Sequence, residues 1–588
     1  MRYLALCCDY DGTLATDGRV FPDTVRALER LIASGRRLVL VTGRELDDLQ
    51  RVCPRLDLFE YVVAENGALL YQPALSTETP LATRPAEAFI SALRERGVSP
   101  MSVGRVIVAT WEPHETAVLE TIRDLGLELQ VIFNKGAVMV LPAGVNKATG
   151  LMAALEKMGL SAHNAVGIGD AENDHALLAS CECSVAVANA LPTLKGAADI
   201  VTAADHGAGV VELIDELLRD DLASREAQLT RHHILLGKDD EGREVRMSPY
   251  GENLLLVGTS GSGKSTLATG LLERLGERGY TFCVIDPEGD YETITDAVSL
   301  GEPNRPPTVD EIVKLLRSPD ESVVVSLIGL PVGDRPAFFA ALAPRLAELR
   351  AAKGCPHWIV IDEVHHLLPA TRRPDEVALP GNLHSTLQVT VHPSLVTPRV
   401  LKATTLLIAI GATPQSMIQE FCEVSGLVAP PMKSVKLQPG EALAWRPHGA
   451  DARPFRLTIA PSRTERRRHT RKYAEGELGP DRSFYFRGPQ GKLNLRARNL
   501  LSFLDLADGV DDETWLHHLR RGDYSRWMES TIADESLTQN IRAAESDLRL
   551  SPRESRQRIR AAIEEQYTVP ASAASSSSID SNTPVPRA

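Results

Sequence analysis

Two aspartates stand one residue apart in CCDYDGTLATDG (7–18), directly after the apolar run YLALCC. Burial disfavours a charged carboxylate, so a pair at the mouth of an apolar strand needs a physical reason. Residues i and i+2 of an extended segment point the same way, which lets Asp9 and Asp11 serve one site. A hard, oxygen-liganded cation such as Mg2+ is the natural partner for them. Further along, GDAENDH (169–175) sets Asp170 and Asp174 just past another apolar run. VTGR sets Thr42 past a third, and PAGVNKATGL carries Lys147. Open parallel α/β sheets bind ligands beyond the C-terminal ends of their strands. Carboxylates, a hydroxyl and a lysine gathered there are equipment for phosphoryl transfer by positioning and charge neutralisation. An anionic nucleophile about 4 Å from a phosphate charge meets ~4 kcal/mol of repulsion at an effective dielectric of ~20. Unrelieved, that costs about a thousandfold in rate.

A second set of residues points to nucleotide chemistry. GTSGSGKST (258–266) follows the apolar NLLLV and opens the helical TLATGLLERLGERG. This is G-x-x-x-x-G-K-[ST] between strand and helix, where backbone N–H groups and a helix N-terminus cradle phosphates. Gly258, Gly261 and Gly263 supply the loop, Lys264 the cation for the β- and γ-phosphates, Ser265 a Mg2+ ligand, and Thr266 the next hydroxyl. Asp362, at the end of HWIVIDE, is the expected metal partner, and Glu363 would orient the attacking water. ATP is the implied nucleotide. Arg345, Arg372, Arg373 and Arg399 are candidates for a catalytic arginine.

The elements that must position these groups read as α/β throughout. To about residue 220, short apolar runs alternate with helical ones (YLALCC, DTVRALERLIASG, RRLVLVTG), the rhythm of a parallel sheet with crossover helices. Residues 72–143 interrupt it with RVIVAT, HETAVLETIRDLG, LELQVIF and AVMVLP, a small α+β insert placed like a lid. A second α/β domain is expected over 230–460, with strands NLLLVG, TFCVID, SVVVSL, HWIVID, LQVTVH and TTLLIAIG. From 461 to 568 a basic and aromatic, mainly helical module is expected. The low-complexity end, 569–588, reads as a disordered tail.

DYDGT (9–13), VTGR with Thr42, Lys147 and GDAEND (169–174) occur in the order that resembles the haloacid dehalogenase superfamily, in its Cof-type branch with the cap between the second and third motifs. ENGA (65–68) is similar to this branch as well. The resemblance spans about residues 1–215 and implies a Rossmann-like core with a small cap. It implies Asp9 as the nucleophile that takes up the phosphoryl group, Asp11 as general acid and then base, and Thr42 and Lys147 as phosphate holders. It also implies Mg2+ on Asp9, the Asp11 carbonyl and Asp170, supported by Asn173 and Asp174. The segment FCVIDPEGDYE (282–292), with VIDEVHHLLP and LLIAIG, resembles HerA/FtsK-type P-loop ATPases. That likeness implies ring-shaped homo-oligomers and action on DNA.

The 588 residues carry 43% hydrophobic and 24% charged side chains, which excludes fibrous and wholly disordered classes. No apolar run approaches the roughly 18 residues of a membrane helix. The opening MRYLALCCDYDG has no signal-type cleavage site and the eight cysteines show no CxxC spacing, so a cytoplasmic location is expected. A net charge of -14 argues against a chain coated for nucleic acid, although RTERRRHTRK (463–472) is basic and RSFYFRG interleaves aromatics with arginine. WLHHLRRGDYSRW places His517, Asp523, Tyr524 and Trp527 in a compact pattern, with Trp515 and Trp527 expected in a helical core.

The function expected is a Mg2+-dependent phosphatase of a small phosphorylated metabolite, of phosphoglycolate or sugar-phosphate type, fused to a HerA-like ATPase. The alternative is a DNA-acting HerA-type translocase with an accessory phosphatase domain. The two sites are separable by mutation. Asp9→Asn is expected to abolish phosphate release from p-nitrophenyl phosphate while leaving ATP binding intact, and Lys264→Ala to do the reverse; loss of both in either variant contradicts separate sites.

Overall fold

The computed structural model describes residues 1–259, 261–291, 294, 296–371, 384–432, 434–449, 453–463, 478, 483–532 and 535–567. It divides into two compact units. One comprises residues 1–259 with 267–462, the other 463 onward with residues 260–266.

The larger unit holds two main sheets. In the first, eight strands run in the order Ile200–Val201, Cys183–Ala186, Ala165–Gly169, Ala5–Asp9, Arg37–Val41, Tyr61–Ala64, Leu69–Gln72 and Thr77–Pro80. The first six are parallel; Leu69–Gln72 pairs antiparallel with Tyr61–Ala64, and Thr77–Pro80 antiparallel with Leu69–Gln72. All five residues of Ala5–Asp9 are buried, as a central strand covered on both faces requires, which explains why its sequence is a continuous apolar run ending in Asp9. The register pairs Asp9 with Val41 and Cys8 with Ile168, so Thr42 and Asp170 emerge at the same sheet end as Asp9. This is the Rossmann-like core that the motif order implies.

Between the core strands sits a separate four-stranded antiparallel sheet, ordered Met101–Val103, Val108–Trp111, Ala137–Pro142 and Leu129–Asn134, with helices Glu87–Glu95 and Glu115–Asp124 packed on it. The sequence pattern shows three of these strands and the second helix. Met101–Val103 is too short for alternation to register, and Thr77–Pro80, fully exposed, pairs with the core sheet rather than the insert.

The second sheet has eleven strands. Seven run parallel, in the order Leu406–Ala409, Asn253–Val257, Thr386–Thr390, Trp358–Ile361, Phe282–Asp286, Val323–Ser326 and Val298–Leu300. Asn253–Val257 and Trp358–Ile361 flank Thr386–Thr390, and their C-terminal ends lie on one edge, as a P-loop α/β sheet requires. Four antiparallel strands extend it: Glu441–Trp445, Phe455–Ile459, Ile234–Lys238 and Glu244–Met247. None of these four is evident in the sequence; Glu244–Met247 is the partly exposed edge strand, and Phe455–Ile459, though paired on both sides, alternates polar with apolar residues instead of forming a continuous apolar run.

The smaller unit is mainly helical, with helices Leu500–Gly509, Asp512–Arg521, Asp523–Trp527, Glu535–Ser546 and Pro552–Tyr567 beside a two-stranded ribbon, Phe484–Phe486 and Leu495–Ala497. Trp515 and Trp527 lie in its core, as expected. So do Phe484 and Phe486, which removes two of the three RSFYFRG aromatics from any base-stacking surface. His518, rather than His517, pairs with Asp523, at 2.8 Å. Most of the basic run 463–472, together with Arg372, Arg373 and the tail, lies outside the described residues. All eight cysteines are buried and unpaired. No helix among the described residues is long and apolar enough to cross a membrane.

The two large sheets meet at a polar seam built around Glu182, whose side chain is 1% exposed. Arg2 and Tyr280 donate to its two oxygens, each at 2.7 Å, and His163 Nδ1 lies 2.7 Å from Oε2. His163 Nε2 donates to the Arg278 carbonyl at 2.7 Å, and Lys353 donates to the Met158 carbonyl at 3.0 Å. Burial alone would raise the Glu182 carboxyl; His163, Arg2 and His232 outweigh it and hold it down to about 2. A depressed carboxylate stabilises the fold above its unfolded value and loses that contribution as pH falls towards the folded one. Stability from this seam, on the order of 3 kcal/mol, is therefore expected to fade between about pH 4.5 and 2. Glu182→Gln leaves the buried Arg2 with Glu226 as its remaining carboxylate. The substitution is expected to cost about 3 kcal/mol in urea unfolding at neutral pH and to flatten that acid limb.

Candidate active site

Lys147 opens the helix Lys147–Met158, whose start is fixed by a reciprocal cap between Asn146 and Thr149. The helix is pressed against the loop after strand Tyr61–Ala64. A Cβ on Gly67, at φ +104°, would fall 1.9 Å from the Asn146 carbonyl oxygen, and one on Gly150 would fall 2.4 Å from Val63. Only glycine allows this approach, and the approach drives the lysine into the core, where it is 1% exposed. Its ammonium donates to Asp9 Oδ1 and to Asp174 Oδ1, both at 2.6 Å. The second oxygen of Asp174 accepts the Asp170 and Ala171 backbone N–H groups, each at 2.9 Å. Asp174 thus has both oxygens engaged in fixing Lys147 and the loop that carries Asp170.

Ligand oxygens of Asp9, Asp170 and Asp174 lie within 4.8 Å of one another, and all three residues are buried. Burial and the Asp174 charge push Asp9 up to about 8, against the pull of Lys147. Burial would lower Lys147, but Asp174 and Asp9 hold it well above the usual lysine range, so it stays an ammonium. Three clustered carboxylates, two of them on one buried ammonium, form a donor set suited to a hard cation. Space for it is kept by Gly12, at φ +88°, where a Cβ would fall 2.3 Å from Asp170 Oδ2. Asn173 donates to Asn66 Oδ1 at 3.0 Å, and its own carbonyl oxygen is buried without a hydrogen-bond partner among the described residues. These observations fit Mg2+.

Asp11 is more exposed. Arg44 grips its carboxylate with two hydrogen bonds of 2.7 Å, and this grip holds Arg44 above its ordinary range. Thr42 is buried beside Asp9 through the strand register, its hydroxyl accepting the Arg44 N–H at 3.1 Å. The structure therefore brings Asp9, Thr42, Lys147, Asp170, Asn173 and Asp174 to one sheet end, with Asp11 on the rim.

Two contributors escape sequence reasoning. Glu65 of ENGA is fully buried at φ +52°, and its carboxylate accepts the backbone N–H groups of Arg105, Val106 and Ile107 at 2.8, 2.7 and 2.9 Å. It fastens the cap to the core. Lys135, at the tip of a cap hairpin, donates to Asp170 Oδ2 at 2.9 Å and to the Asp11 carbonyl at 3.2 Å. The Asn-Lys-Gly turn is legible in the sequence, but nothing local shows where its tip points.

In the second sheet, the loop from Gly258 leads from strand Asn253–Val257 into helix Lys264–Glu277, which opens on Lys264, Ser265 and Thr266. Gly261 and Gly263 have φ of +77° and +97°, the left-handed turns that a phosphate-cradling loop uses. Lys264 is buried. Asp362 follows strand Trp358–Ile361; burial, with Asp286, Glu363 and Asp290 nearby, raises its carboxyl well above the usual range. Its Oδ1 is buried without a hydrogen-bond partner among the described residues. Glu363 takes a left-handed φ of +40°, a strained conformation of the kind that clusters at functional sites. The neighbouring DPEGDY loop winds around Asp286, which accepts the Gly289 and Tyr291 N–H groups at 2.8 and 2.7 Å. Arg345 pairs with Asp310 at 3.4 Å, and Arg399 lies in helix Pro398–Lys402.

A family model of haloacid dehalogenase-like hydrolases matches residues 6–110 and 119–214. A model of the central domain of helicase HerA matches residues 251–332. Phosphoglycolate phosphatase 2 of Saccharolobus solfataricus is 30% identical over 220 residues, 37% of this chain and 92% of that protein. Phosphoglycolate phosphatase of Methanothermobacter thermautotrophicus is also 30% identical over 220 residues, 36% of this chain and 96% of that protein. Among solved structures, a haloacid dehalogenase-like hydrolase from Bacteroides thetaiotaomicron matches with a TM-score of 0.33 at 20% identity, over 37% of this chain and 99% of that one. Relatives matched almost end to end show that the chain belongs to the haloacid dehalogenase-like hydrolases through its N-terminal region, beside a segment, 251–332, that matches the central domain of helicase HerA.

Proposed function

We propose that the N-terminal region hydrolyses a small phosphomonoester of phosphoglycolate type, with Mg2+ and through an aspartyl-phosphate on Asp9. The observation that carries this reading is the buried Lys147 ammonium shared by Asp9 and Asp174 at 2.6 Å, with Asp170 alongside. Asp9, Asp170 and the Asp11 carbonyl would hold Mg2+, with Asn173 in support; when bound, the ion neutralises charge that builds up on the phosphoryl oxygens. Lys147 and Thr42 bind and orient the phosphoryl group. An Asp9 carboxylate oxygen forms a bond to phosphorus as the ester P–O bond breaks, and Asp11 passes a proton to the departing oxygen. In the second half, Asp11 takes a proton from water as that water attacks phosphorus, releasing phosphate and restoring Asp9. Arg44 keeps the Asp11 carboxylate aimed at the rim where both transfers occur.

The second sheet is proposed to bind and hydrolyse ATP. Gly258, Gly261, Gly263, Lys264, Ser265 and Thr266 would bind the phosphates, Asp362 the metal side, and Glu363 the attacking water. The match to the HerA central domain favours a second reading, in which this domain is a ring-forming motor on DNA and the phosphatase is accessory. Stimulation of ATP turnover by duplex DNA separates the two: a clear increase supports the motor, a flat response leaves the phosphatase as the principal activity.

Purified chain is expected to release phosphate from 2-phosphoglycolate in Mg2+ and to lose that activity in EDTA. Asp11→Asn is expected to lower kcat by about 10²–10⁴ with KM little changed, because it removes a proton carrier and leaves Asp9, Thr42 and Lys147 in place. Unchanged turnover in this variant would remove Asp11 from the mechanism.

A further inference from the structure

Lys135 and Gly136 form the two-residue turn between strands Leu129–Asn134 and Ala137–Pro142, with φ of +49° and +84°. Such a paired left-handed turn matches the twist of its strands, and here Asn134 pairs with Ala137 directly beneath it. The tip is therefore aimed by the cap sheet rather than by a loose loop. It aims at the core. The Lys135 ammonium lies 2.9 Å from Asp170 Oδ2 and 3.2 Å from the Asp11 carbonyl oxygen, while its side chain stays 51% exposed. Asp170 and the Asp11 carbonyl are the groups proposed to hold the metal, so the ammonium occupies a cation seat.

The charges around the seat decide how the lysine behaves once a metal arrives. Asp9, Asp170 and Asp174 cluster around the seat with Lys147 paired to Asp9 and Asp174, while Arg44 pairs separately with Asp11. Lys135 offsets one further carboxylate. A divalent cation in the same seat completes the balance without it, and two cations do not share a pair of oxygens. An incoming phosphomonoester dianion makes the site negative again. Arg44, the other cation at the rim, is already taken up by Asp11 and Asp48, so a tethered ammonium displaced to the mouth is available on the side where the non-phosphoryl end of the substrate must lie.

We propose that Lys135 is a specificity-determining residue of the phosphatase site: it holds the seat between Asp170 and the Asp11 carbonyl until the metal takes it, then binds an anionic group, such as a carboxylate, on the leaving end of the substrate. The inference rests on the phosphatase reading but carries its own test. Lys135→Met keeps an unbranched side chain of nearly the same length and removes the charge with its N–H donors. Mg2+ alone is titrated calorimetrically into the full chain, with Asp170→Asn identifying heat from this site. Hydrolysis of 2-phosphoglycolate is compared with that of β-glycerol phosphate, whose leaving group is neutral.

With its competitor gone, the seat in Lys135→Met is expected to bind Mg2+ about tenfold more tightly, the equivalent of one lost charge-assisted contact. Its kcat/KM for 2-phosphoglycolate is expected to fall about 10- to 100-fold, and that for β-glycerol phosphate less than about threefold. Equal or weaker Mg2+ binding by the variant overturns the proposal, as does a parallel loss on both esters. If the unsubstituted chain hydrolyses neither ester, the phosphatase reading fails instead, and the Mg2+ titration still decides whether Lys135 yields the seat.

Discussion

An ammonium buried between two carboxylates is the constraint on which the N-terminal site depends. Removing a lysine from water costs several kcal/mol unless its charge is met at close range, and Lys147 is met twice at 2.6 Å. The geometry is unforgiving. It needs the helix start at Asn146 to ride directly over Gly67, it needs Gly150 against Val63, and it needs the loop after strand Ala165–Gly169 to turn Asp174 inward. Asp174 closes this arrangement by taking two backbone N–H groups with its other oxygen, so the lysine, the loop and Asp170 are located by one carboxylate.

The cations around this cluster fall into two kinds. Lys147 is enclosed by protein on every side and belongs to the fold. Lys135 reaches in from the cap with half its surface in water, and its carboxylate partner has another donor, the Thr13 hydroxyl at 3.1 Å. The cap itself is held by something different again. Glu65 accepts three consecutive backbone N–H groups, a contact that fixes the cap at residues 105–107, while the hairpin at 134–137 reaches the site through the Lys135 ammonium. Fastening and sensing are thus carried by separate segments of one small sheet.

The join between the two large sheets obeys the same logic of satisfied burial. Arg2, Glu182, His163 and Tyr280 would each be costly if left alone in the interior, and each finds a partner across or beside the seam. The stacking of His163 on Tyr280, with ring centroids 3.9 Å apart, adds a contact that belongs to both sheets at once. The two large sheets are joined here, among the described residues, through hydrogen bonds and aromatic faces.

Much of this molecule was legible in its residues. Continuous apolar runs ending in Asp9, Val41 and Gly169 announced buried parallel strands, because a strand covered on both faces admits little else, and the acidic or hydroxyl residue after each run marked the ligand-binding end of the sheet. GTSGSGKST between a strand and a helix was equally explicit. Of the antiparallel strands of the second sheet, Glu244–Met247 stayed hidden because a half-exposed edge needs no apolar run, and Phe455–Ile459 because its polar residues interrupt the pattern. Phe484 and Phe486 looked like a stacking surface until the ribbon turned them into a core. ENGA and the Asn-Lys-Gly turn were visible as motifs, but what Glu65 and Lys135 do there could not be read. Local pattern reports what a residue's own segment buries, but these two act on segments 40 and 35 positions away, and only the docking of cap on core decides that their charges meet backbone N–H groups in one case and Asp170 in the other.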